Sequence, residues 1–367
     1  MISFANSIGL EVAAITNAGP LYELAPLLRE RFDGGRKLPF EKEGLMRRID
    51  PRLTLPQAQS IICLALPYLS YPENKKERES ITGKFARIAR IRDYHLIFRE
   101  KAEMLVSFIK ANESTCLNYN ISCDTSPLVE RGFFRKGKGL TGRNGFYYSP
   151  AFGSWVALGL IITDLPLSDY SPLNLDANNH CEGCNLCLKS CPTKALTAPF
   201  KINPIKCISY LTQGREIIPR NYRSIMGNTL YGCDICQEVC PLNRVKDIPK
   251  PPFLQESLVP EDVNLLSFLR LSKKEFNASF GKTSAAWRGL STLKRNAIIA
   301  LGNSHNPEAT ETLKAILTTD PLPQKRLYAA WALGEIDCQK ARDALSHSFN
   351  YEKETDVKKE IATALEK

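Results

Sequence analysis

The feature that most constrains this chain is a run of four cysteines in the middle of its sequence. The run reads Cys181-x2-Cys184-x2-Cys187-x3-Cys191 and is followed at once by Pro192. Bacterial ferredoxins use this spacing: three closely spaced thiolates bind one [4Fe–4S] cluster, and the cysteine before proline crosses to a second cluster. The run therefore predicts a segment that folds around a pair of iron–sulfur clusters.

A second run, Cys233-x2-Cys236-x3-Cys240, also ends in proline. The first cysteine expected for this run falls at position 230, which is Leu230, and Cys207 between the two runs can supply the missing thiolate. We predict two [4Fe–4S] clusters with the following ligands: Cys181, Cys184, Cys187 and Cys240 for cluster one, and Cys191, Cys207, Cys233 and Cys236 for cluster two.

The alternative for these cysteines is a pair of zinc sites, because CxxC pairs also bind Zn²⁺. Zinc motifs do not require two cysteine–proline endings at the crossing spacing, so the clusters are favoured. Two neighbouring clusters relay single electrons, which indicates low-potential electron transfer. Among the remaining cysteines, Cys63 and Cys338 are expected to be buried structural thiols, whereas Cys116 and Cys123 receive no role.

The cysteine content and the N-terminal sequence favour a cytoplasmic location. Twelve cysteines in 367 residues suit metal or redox chemistry in a reducing compartment, because disulfide scaffolds are typically small and secreted. Residues 1–20 have no basic region ahead of a long apolar run, so we expect no signal peptide. The sequence also lacks an apolar stretch of about 18 residues or more, so we expect no membrane segment.

Four consecutive segments are expected along the chain. Apolar runs at 60–68 and 155–163 predict buried strands, and the periodicity of 93–110 predicts an amphipathic helix. Strands that alternate with helices indicate an α/β domain at 1–174. A ferredoxin-like two-cluster module is expected at 175–245, followed by a linker at 246–279 that begins rich in proline and lysine, and by a helical domain at 280–367.

The helical domain carries an internal repeat. The triplet Ala-Leu-Gly at 300–302 recurs at 332–334 and, as Ala-Leu-Glu, at 364–366, so the period is 32 residues. Each copy follows a helical pattern, and repeated helix pairs of this length indicate an α-solenoid of HEAT-like repeats. A plain helical hairpin cap is the alternative.

The net charge is +10, with 49 lysines and arginines against 39 aspartates and glutamates. Such an excess suits a polyanionic partner whose affinity falls as salt rises. Taken alone the charge is weak support, because many basic proteins bind no nucleic acid.

Several segments are similar to the epoxyqueuosine reductase family, cobalamin-dependent iron–sulfur enzymes that modify tRNA. The most specific are DTSPLVER at 124–131 and CISYLT at 207–212; others are Asp-Pro-Arg at 50–52, Tyr-Gly-Cys-Asp at 231–234 and the stretch 293–303. The resemblance runs through most of the chain. It implies that residues 1–174 bind base-off cobalamin, and that the chain reduces the epoxide of epoxyqueuosine at the tRNA wobble position to queuosine, the last step of queuosine biosynthesis.

The resemblance implies that Asp124, in the family's DTxP motif, is the catalytic acid. Opening an epoxide leaves an alkoxide that needs a proton, and a positioned carboxylic acid can supply it. Such an acid must be protonated near neutral pH, which desolvation under the corrin favours. Without the resemblance, Asp124 would be interpreted as an ordinary turn aspartate.

The resemblance also implies contacts between the chain and the corrin. A cation at position 47 suits a corrin amide or phosphate, although Arg48 could take its place. After Arg131 the sequence is one residue shorter and more basic than the family pattern, which puts the register of later contacts in doubt. The predicted cofactor contacts are Arg47, Asp124, Val129, Glu130, Arg131, Tyr147, Leu158, Ser209 and Asp234.

The triplet Asp93-Tyr94-His95 superficially resembles the D-x-H-x-x-G motif whose histidine ligates cobalt in other cobalamin proteins. The final position of the motif is Phe98 instead of glycine, and the segment lies on a helical pattern. We therefore interpret His95 as structural or as acting through a neighbour. The resemblance implies cobalamin without a histidine ligand.

The resemblance gives the basic repeat a partner, the anticodon arm of a tRNA, whose phosphates would be contacted while the modified base turns out into the pocket. Solvated helix faces are the alternative for each candidate. An external low-potential electron donor and a monomeric state are also expected. The candidate phosphate contacts are Lys294, Arg295, Lys325 and Arg326.

Two other functions compete with this one. A related corrinoid iron–sulfur enzyme, such as a reductive dehalogenase, would act on a small substrate, but the missing export signal and the basic repeat weigh against it. A two-cluster electron carrier would need neither the 170 or so residues before the clusters nor the helical repeat after them. Its spectrum would show cluster absorption alone, whereas either enzyme would add cobalamin bands.

Overall fold

The computed structural model describes residues 1–41, 44–68, 81–113, 117–124, 126–171, 181–243 and 257–367. The chain divides into two compact units. Unit 1 comprises Met1–Ser70, Ile91–Cys207 and Asp234–Glu256, and unit 2 comprises Tyr71–Arg90, Ile208–Cys233 and Ser257–Lys367. Both units are discontinuous in sequence. The prediction of four consecutive segments did not include this interleaving of the two units. The predicted boundaries after residues 174 and 245 lie outside the described residues.

Unit 1 combines short and long helices with two sheets. Its strands are β1 (Glu11–Asn17), β2 (Ser60–Pro67), β4 (Tyr119–Ser122), β5 (Val156–Thr163), β6 (Leu196–Ala198) and β7 (Lys201–Ile202). Its helices are α1 (Ile2–Ser7), α2 (Ala25–Asp33), α3 (Leu45–Ile49), α4 (Tyr94–Glu113), α5 (Glu130–Lys136), α6 (Leu186–Ser190) and α9 (Ile235–Glu238).

Unit 2 is mainly helical. Its strands are β3 (Thr82–Phe85), β8 (Thr229–Tyr231) and β9 (Asp262–Asn264). Its helices are α7 (Ile208–Leu211), α8 (Arg220–Arg223), α10 (Leu265–Arg270), α11 (Lys273–Phe280), α12 (Gly289–Ser304), α13 (Thr310–Thr319), α14 (Pro323–Ile336), α15 (Gln339–Tyr351) and α16 (Thr355–Leu365). Short 3-10 turns in the two units span Tyr22–Leu24, Pro51–Leu53, Arg87–Ala89, Pro204–Lys206, Ser224–Met226, Pro241–Asn243, Ser284–Arg288 and Pro307–Ala309.

The main sheet of unit 1 has the strand order β1-β2-β5-β4, and every neighbouring pair is antiparallel. The predicted strands at 60–68 and 155–163 and the predicted helix at 93–110 are confirmed as β2, β5 and α4. Helices and strands are indeed mixed. The prediction of an α/β domain nevertheless needs correction in one respect, because this sheet contains no parallel pair among the described strands.

Helices cover both faces of this sheet, which explains why β2 is buried along its whole length. Side chains alternate between the two faces of a strand. On one face Cys63 and Leu160 pack with Phe133 and Phe134 of α5. On the other face a Cβ added at Gly159 would lie 2.2 Å from the Phe98 ring of α4, so glycine is needed for this close approach. The prediction of Cys63 as a buried thiol is confirmed.

In unit 2, β3 pairs in parallel with β8 and antiparallel with β9. The segment 262–279, which we predicted to be part of a linker, instead forms β9, α10 and most of α11. Its aromatic side chains give the physical reason: Phe268, Phe276 and Phe280 are buried and pack around Phe85. The part of the predicted linker at 246–256 lies outside the described residues.

The predicted helical repeat is confirmed in unit 2, and its small residues set the helix spacing. A Cβ added at Gly302 of α12 would come within 2.8 Å of the Ala332 Cα in α14. A Cβ added at Gly334 of α14 would come within 2.7 Å of the Ala364 Cβ in α16. The 32-residue period therefore places each copy of the triplet against the next copy. Cys338 packs beside this core and is only partly buried.

Across the described parts of the chain, none of the helices has the length and apolar character needed to span a membrane.

Candidate active site

Asp124 lies in a short loop after β4 and has an unusual backbone conformation. Its φ is +58°, in the left-handed region that a residue with a Cβ adopts rarely, although aspartate tolerates it better than most. The side chain is exposed and accepts a hydrogen bond at Oδ2 from the hydroxyl of Tyr94, 3.0 Å away. The predicted catalytic carboxyl is therefore open to a ligand and held by one phenol.

The loop is attached to α5 through the carboxylate of Glu130. One oxygen, Oε1, accepts the backbone N–H of Asp124 at 2.7 Å and the hydroxyl of Ser122 at 3.1 Å. Although Glu130 as a residue is only partly buried, burial of its carboxyl and the nearby charge of Asp124 raise its pKa to about 8. Two carboxyl groups thus lie next to each other, one exposed and one enclosed.

His95 lies next to the Tyr94 side chain and to Asp93. Its ring stacks on the Tyr94 ring with centroids 4.0 Å apart, and its Nδ1 lies 2.6 Å from Asp93 Oδ1. Burial alone raises the pKa of Asp93, but hydrogen bonds from His95 outweigh this effect and the pKa is lowered. The arrangement agrees with the interpretation of His95 as a residue that acts through its neighbour, Tyr94.

Several predicted corrin contacts lie beside this loop. The Val129 N–H donates to the Arg48 carbonyl at 2.9 Å, so α3 adjoins the start of α5. Arg48 forms an ion pair with Glu41 at 3.0 Å, whereas Arg47 is exposed, which favours Arg47 for a cofactor contact. Arg131 is also exposed and donates to the Gly145 carbonyl at 3.3 Å.

Tyr147 and Leu158 lie in the apolar core of unit 1. Tyr147 is 1 % exposed, packs against Phe134 and donates its hydroxyl to Glu11 at 2.7 Å. Burial raises the pKa of Glu11, partly offset by hydrogen bonds from Ser149 and Tyr147. The structure therefore argues against a contact between the Tyr147 side chain and a cofactor, because Glu11 already holds it. Leu158 is partly buried in the same core.

Ser209 and Asp234 were also predicted to contact the cofactor. Ser209 belongs to α7 of unit 2, and its hydroxyl accepts a hydrogen bond from the Gln213 side chain at 3.2 Å. Asp234 belongs to unit 1 and precedes α9, where its carbonyl accepts the N–H groups of Gln237 and Glu238. Both contacts stay predictions.

Each cysteine run places one cysteine in a short helix, Cys187 in α6 and Cys236 in α9, and these two helices pack against each other. Burial raises the pKa of Cys187, and the charges of Cys240 and Cys181 add to the effect. Sulfur atoms of both runs accept hydrogen bonds. The Tyr148 hydroxyl donates to Cys240 Sγ at 3.1 Å, and the Ala195 N–H donates to Cys191 Sγ at 3.2 Å.

Thiolates that accept hydrogen bonds are typical of iron–sulfur ligands, because such bonds tune the reduction potential. Within the described ranges, no group of three or more His, Cys, Asp or Glu side chains is arranged to hold a single metal ion. The assignment of each cysteine to a cluster stays a prediction.

The four candidate phosphate contacts of unit 2 fall into two kinds. Arg295 is 3 % exposed and donates to the backbone carbonyls of Gly214 at 2.6 Å and Leu211 at 2.8 Å. Its prediction as a phosphate contact is therefore wrong, because its guanidinium is buried against backbone acceptors. Arg326 is held by both oxygens of Glu352, at 2.8 and 2.9 Å.

Lys294 and Lys325 line a groove of about 560 Å³ in unit 2. Burial lowers the pKa of Lys294, and the neighbouring charge of Lys325 lowers it further. Lys273 and Arg288 line the same groove. An excess of positive charge in one concave surface is the expected character of a phosphate-binding site.

Sequence reasoning missed two residues, one that contacts Asp124 and one that contacts Glu130. Tyr94 belongs to the Asp93-Tyr94-His95 triplet, which drew attention to its histidine instead. Ser122 stands two positions before the DTSPLVER stretch, at the end of β4. The signal that could have found Ser122 is its place at the end of a strand leading into that stretch.

Three family models match the chain. One described as epoxyqueuosine reductase QueG matches residues 48–125. One described as a 4Fe-4S double cluster binding domain matches residues 180–243, which confirms the predicted two-cluster module. One described as HEAT repeats matches residues 291–366.

Curated proteins are similar to the chain over its full length. The epoxyqueuosine reductase of Staphylococcus aureus is 36% identical over 375 residues, which cover 100% of this chain and 95% of that protein. The epoxyqueuosine reductase of Bacillus subtilis is 34% identical over 369 residues, which cover 100% of this chain and 94% of that protein.

Solved structures are similar as well. A crystal structure of epoxyqueuosine reductase with a tRNA-Tyr epoxyqueuosine-modified stem loop matches with a TM-score of 0.92 and 34% identity, covering 100% of this chain and 96% of that one. The Bacillus subtilis structure, in which an aspartate-bearing catalytic loop is swung out of the active site, matches with a TM-score of 0.89 and 33% identity, covering 100% and 97%.

Proposed function

Because the chain belongs to the epoxyqueuosine reductase family, we propose that it reduces the epoxide of epoxyqueuosine at the wobble position of tRNA to queuosine. The chain is therefore an oxidoreductase. The reaction takes up two electrons and two protons, converts the epoxide to an alkene and releases one water. The observation that carries the proposal is the full-length similarity to reductases of this one activity.

Asp124 is the proposed proton donor to the epoxide oxygen as the ring opens. Its carboxyl is exposed, and the Tyr94 hydroxyl orients it from one side at 3.0 Å. A general acid must lie within hydrogen-bond reach of the atom that it protonates, and an exposed, oriented carboxyl meets this requirement.

Cobalamin is the proposed cofactor beside this loop. The residues present fit it in part: Arg47, Val129, Glu130 and Arg131 adjoin Asp124 through α3 and the start of α5, and the two arginines are exposed. Cationic and backbone polar groups suit the amides and phosphate of a corrin. Tyr147 is left out because Glu11 holds its hydroxyl. The bound corrin would supply a strongly reducing cobalt centre.

Two [4Fe–4S] clusters are the proposed source of single electrons. The donor set fits them, since the helices that hold Cys187 and Cys236 pack against each other and since Cys191 and Cys240 accept hydrogen bonds at sulfur. The proposed ligands remain Cys181, Cys184, Cys187 and Cys240 for one cluster, and Cys191, Cys207, Cys233 and Cys236 for the other.

The groove of unit 2 is the proposed contact for tRNA phosphates. Lys273, Arg288, Lys294 and Lys325 line it, so these cations outnumber the carboxylate of Asp320, which pairs with Lys325 at 3.2 Å. Phosphate contacts position a nucleic acid without reading its sequence. We therefore expect the loop at Asp124, and not the groove, to recognise the modified base. An external electron donor, a cytoplasmic location and a monomeric state complete the proposal.

The direct test is incubation of the protein, loaded with iron–sulfur clusters and cobalamin, with epoxyqueuosine-containing tRNA and a low-potential reductant. Nucleoside mass spectrometry should detect queuosine. Absence of queuosine from protein whose absorption spectrum shows both cofactors would contradict the proposal. An absorption spectrum with cluster bands alone, from protein offered cobalamin, would favour an electron carrier.

A further inference from the structure

We propose that Glu130 is the positioning residue that holds the Asp124 loop in its active conformation, by accepting the Asp124 N–H and the Ser122 hydroxyl on one carboxyl oxygen. The inference rests on the proposed role of Asp124 as proton donor. It assigns Glu130 a contact with the loop that is separate from the predicted contact with the corrin.

The backbone at Asp124 needs a restraint from outside the loop. Its φ of +58° is disfavoured for a residue with a Cβ, so other backbone conformations compete with it. A hydrogen bond from the Asp124 N–H to a fixed acceptor favours this conformation over those alternatives. Glu130 Oε1 is that acceptor, at 2.7 Å.

The acceptor is held in place because Glu130 itself and its second donor, Ser122, both belong to regular secondary structure. Glu130 is the first residue of α5, which packs on β1, β2 and β5. Ser122 is the last residue of β4, is almost fully buried, and donates to the same oxygen at 3.1 Å. The carboxyl oxygen therefore joins the sheet, the helix and the loop at one point.

The geometry divides the work between the two carboxyl groups. Glu130 accepts the backbone N–H of Asp124, and the Asp124 side chain stays exposed and accepts the Tyr94 hydroxyl at Oδ2. Without Glu130 the loop loses the bond that selects the left-handed conformation, and the acid spends less time where the substrate needs it. A carbonyl oxygen at the same place would serve equally well, because acceptance and not charge is required.

The test compares Glu130→Ala with Glu130→Gln, which keeps a carbonyl acceptor. In Glu130→Ala, hydrogen–deuterium exchange of the Asp124 amide should accelerate about tenfold or more, and kcat should fall roughly 10- to 100-fold with KM for tRNA little changed, as expected when a backbone N–H loses its hydrogen-bond acceptor. Glu130→Gln should restore most of both quantities.

Glu103→Ala is the matched control. It also removes a carboxylate that accepts a hydrogen bond from β4, but at Tyr119, at the opposite end of the strand. It should leave the exchange of Asp124 and kcat unchanged.

Amide exchange is measured without substrate, so it reports on the loop even if the protein forms no queuosine. Two results would overturn the proposal. In the first, Glu130→Ala has the same exchange rate of the Asp124 amide and the same kcat as the wild type. The other is loss of cobalamin absorption with unchanged exchange, which would make Glu130 a corrin contact only.

Discussion

The loop at Asp124 and the helical repeat of unit 2 are stabilised by different kinds of contact. The loop depends on a few polar bonds that converge on Glu130 and Tyr94, and its backbone at Asp124 is in a disfavoured conformation. The repeat depends on close apolar packing of regular helices, with Gly302 against Ala332 and Gly334 against Ala364. The difference teaches that the conformation of the loop depends on a few individual residues, whereas that of the repeat depends on packing along whole helices.

The comparison predicts that a change in the loop affects chemistry far more than stability. Asp124→Ala should lower turnover by about 100- to 10,000-fold, the range that a general acid contributes. Cluster and cobalamin absorption and the melting temperature should stay close to wild type, because the side chain is exposed. Steady-state kinetics with epoxyqueuosine-containing tRNA measure the effect. A wild-type rate would remove Asp124 from the mechanism.

A change in the repeat should do the reverse. Gly302→Ala adds a Cβ within 2.8 Å of the Ala332 backbone, so the helices must separate, at a cost of about 1–3 kcal/mol in the free energy of unfolding. Urea denaturation monitored by circular dichroism measures this cost. Gly44→Ala is the control, since its Cβ meets no atom within 4 Å. Equal stability of the two variants would contradict the packing argument.

Two adjacent cations of α12 sharpen the comparison within the repeat. Arg295→Met should destabilise unit 2 by about 1–3 kcal/mol, because carbonyls of Leu211 and Gly214 lose their donor. Lys294→Ala should leave the free energy of unfolding unchanged and weaken tRNA binding. The slope of log affinity against log salt concentration should become less steep by about 1.

Fluorescence titration with tRNA at several salt concentrations separates these two effects. Lys314→Ala, an exposed lysine outside the groove, is the control and should keep the wild-type slope. The same salt slope for Lys294→Ala and Lys314→Ala would argue against the groove as a phosphate site.

The last prediction concerns pH. The pKa of Glu130 is about 8 in the folded protein against an ordinary value of 4.5, so between these values the folded state binds more protons than the unfolded state. The contribution of Glu130 to stability therefore decreases as pH rises from about 4.5 to about 8, and is constant on either side. In Glu130→Gln this dependence should disappear. Urea midpoints are measured for wild type and Glu130→Gln across the pH range. A difference between the two midpoints that does not change between pH 4.5 and 8 would contradict the raised pKa of Glu130.

Features with a fixed spacing in sequence were predictable, and contacts between distant residues were not. The cysteine runs and the 32-residue repeat place their chemistry at regular intervals, so the two-cluster domain and the stacked helices follow from the sequence. Arg295 looked like a surface cation because nothing near it in sequence reveals acceptors about 80 residues earlier. Tyr147 was misjudged for the same reason, since Glu11 lies 136 residues away.

The most direct test of this division of labour is single-turnover kinetics with excess enzyme over epoxyqueuosine-containing tRNA. The rate is measured against enzyme concentration for wild type, Asp124→Ala and Lys294→Ala. Asp124→Ala should reach a plateau far below wild type at an unchanged half-saturating concentration. Lys294→Ala should reach the wild-type plateau at a higher concentration. A lowered plateau for Lys294→Ala, or a wild-type plateau for Asp124→Ala, would contradict the separation of chemistry in the loop from tRNA binding in the repeat.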